Sequence, residues 1–133
     1  MFVLTLVANA DGKEQLQNYF SDAANKVKAT SNASEKREIL NASFNTMYKA
    51  LDMAQSSPLV SKNERVVINH YKATLQEKQD ELAGSNGFTR VQDGQLNAFS
   101  DYVVQDMEQA AQTVTISVVA LILIIILVVL LVR

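Results

Sequence analysis

TVTISVVALILIIILVVLLV, residues Thr113 to Val132, carries no charge, no Gly and no Pro, and Arg133 follows it. A helix over this stretch, at about 1.5 Å per residue, is roughly 30 Å long, the thickness of a bilayer's hydrocarbon core. Every residue from Val118 to Val132 except Ala120 is Val, Ile or Leu. Each such side chain favours insertion by about 0.3–0.6 kcal/mol at a helix centre. A core helix of the same composition would need apolar cover on all sides, and a domain this small cannot supply it. The stretch therefore predicts a single transmembrane anchor. Thr113, Val118, Leu121, Ile125, Val129 and Val132 would lie along it, and Arg133 would sit at its far edge.

Working outward, the chain has 133 residues, and those before the anchor suffice for one compact domain. The mean hydropathy of +0.03 averages two unlike materials, a very apolar tail and an ordinary polar part. A net charge of −2, with no dense Lys/Arg cluster, gives no electrostatic case for nucleic acid. The absence of cysteine excludes disulfides, thiolate metal sites and cysteine nucleophiles.

Lys and Arg near the apolar stretch indicate orientation. From Val91 to Gln112 there is neither, while Asp93, Asp101, Asp106 and Glu108 are acidic; Arg133 lies on the other side. This predicts a cell-membrane protein with its C-terminus cytoplasmic and its domain outside, periplasmic or extracellular. Residues 1–10, MFVLTLVANA, agree: a short apolar run ends in Ala8-Asn9-Ala10, the small-x-small pattern of a signal-peptidase site. The run lacks the basic start and the length of a full signal, so it reads as a truncated or minimal one. A short apolar arm packed on the domain is the other reading.

Residues 11–112 read as a soluble all-α domain, with only one Pro and four Gly in the whole chain. Four segments show helix-start signals followed by apolar spacing near 3.6. The first opens at Asp11, where Asp11 and Glu14 match a capping box; Leu16, Tyr19, Phe20, Ala23 and Val27 then share a face. A polar break over residues 30–34 follows. The second runs from about Glu35 to Gln55, and Leu40, Phe44, Met47 and Leu51 form a narrow heptad-like seam that could serve a partner. Pro58 ends that region.

The third segment starts with a capping box at Ser61 and Glu64, presents Val67, Tyr71, Leu75 and Leu82, and closes at Gly84, placed for a left-handed cap. The fourth starts near Asp93, with Leu96, Phe99, Val103, Met107, Ala110 and Val114 on one face. No Gly or Pro interrupts it before the apolar stretch, so one continuous helix is expected from about Asp93 to Val132. The whole predicts an up-down bundle of three to four helices whose last helix continues into the C-terminal transmembrane helix. An elongated hairpin, with the first two helices merged across Asn32, is the alternative.

Chemistry is sparse. His70 is the lone histidine, so no two-histidine metal site forms, and a lone helical histidine is usually a surface or boundary residue. Glu77, Asp80 and Glu81 alternating with Lys72 and Lys78 read as a solvated helix face. Gly84, Gly87 and Gly94 lack phosphate-loop order, and Asp93-Gly94 lacks the other ligands of a calcium loop. Asn32-Ala-Ser34 and Asn41-Ala-Ser43 match glycosylation sequons at a frequency chance supplies. The apolar stretch itself has no ionisable residue and only a weak Thr113–Ser117 small-residue pair.

No catalytic residue, cofactor or metal is therefore expected. The expected function is a non-enzymatic, membrane-anchored helical module, an accessory or scaffold subunit whose partners are the bilayer and another membrane or envelope protein. Two alternatives are a ligand-binding sensor bundle that signals through a partner, and a cytosol-facing tail-anchored tether.

Overall fold

The computed structural model describes residues 9–112, 124 and 127–131. Four α-helices follow one another: α1 (Asn9–Ala29), α2 (Ala33–Gln55), α3 (Lys62–Ala83) and α4 (Leu96–Gln112), the last entered through a 3-10 turn at Asp93–Gln95. No strand occurs among the described residues. The fold class is all-α, a helical bundle.

Each junction has a local cause. Asn32 caps α2 by accepting the Glu35 amide at 3.0 Å, satisfying a donor that the helix leaves orphaned. The chain turns there, and the Tyr19 hydroxyl donates to the Ser43 carbonyl at 2.7 Å. Residues nearly equidistant from the turn thus meet, as in two antiparallel helices, which excludes the merged hairpin. Ser61 and Glu64 form the expected capping box: the Glu64 amide donates to the Ser61 hydroxyl at 3.2 Å, and the Ser61 amide donates to the Glu64 carboxylate at 2.8 Å.

Gly84 ends α3 with φ +79°, and a Cβ there would meet the Arg90 backbone nitrogen at 2.8 Å. Only glycine fits both the left-handed backbone and the close approach. The expected box at Asp11 is corrected: α1 already includes Asn9 and Ala10, so Asp11 stands inside the helix and not at its cap.

In the bundle, α1 and α3 each pack between α2 and α4. Gln17 of α1 donates to the Val104 carbonyl of α4 at 3.0 Å, and Gln79 of α3 donates to Asn45 of α2 at 3.0 Å. Up-down-up-down topology follows. The core is continuous through Phe20, Val27, Leu40, Phe44, Met47, Leu51, Ile68, Tyr71, Leu75, Leu82, Phe99, Val103 and Met107. On α3 the buried row begins at Ile68, with Val67 only partly buried, so the helix is turned slightly from its expected face.

Residues of the apolar stretch also reach this core. Ile124 is fully buried, Val128 nearly so, and Leu127 packs against the cluster. A straight helix continued from Gln112 would carry Val128 about 24 Å beyond α4. Val128 instead lines a cleft with Leu16, Tyr19 and Met47, at the level where Gln17 meets Val104. The stretch that the expected continuation from α4 would cross, residues 113–123, lies outside the described residues, and Val128 lies beside the bundle. Among the described residues, no helix is long and apolar enough to cross a membrane.

Candidate functional site

The place where the apolar stretch meets the bundle is built from α1 and α2. Leu16 and Tyr19 stand one helical turn apart on α1, and Met47 projects from α2. With Asn18, Asp22, Val128 and Val129 they line a cleft of about 270 Å³. Its apolar side is held rigidly. The Tyr19 hydroxyl bridges to the α2 backbone at Ser43, and the Tyr19 ring meets Phe20 edge-on with centroids 5.2 Å apart. Burial pushes the Tyr19 phenol up to about 12, against hydrogen bonds with Thr46 and Ser43 that lower it. The hydroxyl therefore stays a donor across physiological pH and the α1–α2 clasp does not titrate. Exposed Asn18 and Asp22 give the cleft a polar rim.

A second cluster lies between α3 and α4. Lys78 is fully buried, and its ammonium contacts the Asp106 carboxylate, lies 2.9 Å from Glu81 and sits 4.0 Å from the centroid of the Tyr102 ring. Burial alone would lower its pKa; hydrogen bonds to Asp106, Glu81 and Tyr102 outweigh it and raise the ammonium above the ordinary lysine range. Lys72, also buried, donates at 2.8 Å to both Asp52 and Gln55 of α2 and lies 5.1 Å from the Tyr48 ring centroid. Each lysine thus ties α3 to a different neighbour. Held this way, the Lys78 ammonium is a fixed cation and not a proton carrier near neutral pH.

Next to Lys72 in the chain, Tyr71 is 1 % exposed, and its hydroxyl has no hydrogen-bond partner among the described residues. Burial pushes that phenol well above its ordinary range. At the far end, Arg37 donates at 2.6 Å to the Val91 carbonyl and to Asp93, pinning the α3–α4 loop to α2. The Arg37 hydrogen bond holds the Asp93 carboxyl below the usual range.

The structure redistributes the residues expected to matter. Leu40, Phe44, Met47 and Leu51 are 2 % exposed or less, so that seam is not open to a partner. The neighbouring helices fill it, because a heptad stripe is as good a bundle core as a docking face. Lys72 and Lys78 are likewise not on a solvated face. Of the expected anchor residues, Val129 is described and lies on the rim of the cleft; Thr113, Val118, Leu121, Ile125, Val132 and Arg133 lie outside the described residues. His70 is exposed, and no metal-holding cluster of His, Asp and Glu occurs among the described residues.

The buried lysines were missed for a reason that can be named. Ile68, Tyr71, Leu75 and Leu82 step by three, four and seven, leaving Lys78 in the vacant core position, a signal visible in the spacing but masked by the charge. Comparison with protein-family models, curated proteins and solved structures finds no match to this chain.

Proposed function

We propose that this chain is a single-pass, membrane-anchored helical module with a structural or interaction role, an accessory or scaffold subunit of a membrane complex. One observation carries the proposal: the bundle leaves the apolar residues 127–131 half uncovered. Val129, Leu130 and Leu131 remain 53 %, 55 % and 36 % exposed even though Ile124 and Val128 are buried. Fully withdrawing such a side chain from water is worth about 1.5–3 kcal/mol, of which roughly half is left to gain at each of these, and a hydrocarbon phase supplies what the bundle does not.

The end of the bundle that carries Gln112 supports this. The α2–α3 turn lies there, and Leu59 and Val66 are 67 % and 66 % exposed. An apolar tip next to the origin of an anchor suits the surface of a bilayer. The charge asymmetry around the stretch favours the domain outside and the C-terminus in the cytoplasm. An enzymatic role has little to stand on, since the buried cations are locked in ion pairs and the lone histidine has no partner suited to nucleophile activation among the described residues.

Vesicle flotation tests the anchor. The full chain is expected to float with phosphatidylcholine–phosphatidylglycerol vesicles and to resist extraction at alkaline pH. Recovery wholly in the unfloated fraction overturns it. Protease added to intact spheroplasts reports the side: digestion of the bundle supports an outward domain, and protection places it in the cytosol.

A further inference from the structure

We propose that the C-terminal apolar helix has two alternative seats, the α1–α2 cleft of its own bundle and the bilayer. The cleft is then a binding site whose ligand is this chain's own anchor, and anchoring becomes conditional on release. The inference rests on the anchoring proposed above and adds its regulation.

Ile124 and Val128 belong to the same apolar cluster as Leu16 and Met47. Val129 reaches the cleft rim, while Leu130 and Leu131 face outward. Ile124 and Val128 are therefore seated, and Leu130 and Leu131 are not. Cleft and bilayer offer the same chemistry, hydrocarbon in place of water, so each competes for the same side chains.

They cannot both be occupied. In a helix spanning the bilayer from Thr113, Val128 lies about 22 Å along the span, near its far face. In the cleft it lies beside Leu16 and Tyr19. The seat is also built to hold without gripping. The Tyr19–Ser43 bond fixes its walls, yet about 270 Å³ stays open beside Val128 and Val129. Incomplete packing forfeits dispersion contacts and weakens the hold. A bilayer, which covers every side of the helix, then wins when it is within reach.

The chain has no cysteine, so Asp22→Cys and Val129→Cys introduce the sole thiols, both at exposed positions of the cleft. The doubly substituted full chain, dilute and free of detergent, is treated with a short bis-thiosulfonate linker that dithiothreitol cleaves. An intramolecular bridge is expected to form, and the bridged chain to float with phosphatidylcholine–phosphatidylglycerol vesicles about tenfold less than the unbridged one. Reduction should restore flotation, and bridging should fail once the chain is on vesicles. Circular dichroism of bridged and unbridged chains should coincide, showing that the bundle is intact.

Equal flotation of bridged and unbridged chains overturns the two-seat proposal. So does a bridge that forms only between two chains, seen as a dimer on a denaturing gel. An unbridged chain that never floats overturns the anchor itself and with it the second seat, a result distinct from either.

Discussion

Lys78 occupies a core position between carboxylates on two helices. Removing one partner of a buried pair leaves the others uncompensated. Lys78→Met is expected to cost about 2–4 kcal/mol in urea unfolding, discounted from a wholly buried pair because Asp106 keeps some water contact. Adding Asp106→Leu should recover part of that loss. A double variant no better than the single would show that the pair is not coupled.

Tyr71 gives the opposite sign. Its hydroxyl is buried and, among the described residues, unpaired, so Tyr71→Phe removes an unmet desolvation cost and should stabilise by about 1 kcal/mol. A loss of stability would mean that the hydroxyl finds a partner in solution. Both residues shape the alkaline limb. Lys78 has a raised pKa in the folded state, so its contribution is complete below the ordinary lysine value of 10.5 and is lost as pH rises toward the folded value. Tyr71 has its phenol raised above the ordinary 10.0, so above that pH the unfolded chain ionises while the folded chain does not. Stability should fall from about pH 10 upward, and less steeply in Tyr71→Phe than in the parent.

At the scale of the element, α3 is the most strictly punctuated helix. Ser61→Ala breaks a reciprocal cap and should cost about 1 kcal/mol. Gly84→Ala meets both a left-handed backbone and Arg90, and should cost about 1–3 kcal/mol. Gly94→Ala is the control, since nothing lies within 4 Å of its would-be Cβ and its φ is ordinary; its midpoint should barely move. Equal losses at Gly84 and Gly94 would remove the close approach as the cause. These ends were legible because a cap is written within four or five residues. The start of α1 was not, since a box pattern at Asp11 carries no information about whether the helix has already begun.

For the whole molecule, the bundle and the apolar helix should be separable in their responses. Ile122→Arg with Ile125→Arg places two charges mid-span, each costing about 2.5–3.5 kcal/mol in a bilayer. Vesicle flotation should be abolished while the helical signal of the bundle persists. Retained flotation would locate the membrane contact elsewhere, at the Leu59 tip in the first instance.

Periodicity in the chain was enough to set the all-α class, the four helices, the turns at Asn32 and Pro58, and most of the core from Leu16 to Met107. A repeat near 3.6 and a cap are local properties, complete within a turn or two of helix. Three matters were not local. Lys78 could enter the core because a carboxylate 28 residues away on α4 meets it there. The Leu40–Leu51 stripe became interior because α1, α3 and α4 close over it. Val128 came to rest beside Leu16 because an apolar helix settles on whatever hydrocarbon surface is nearest, and which surface that is depends on how distant parts of the chain are brought together.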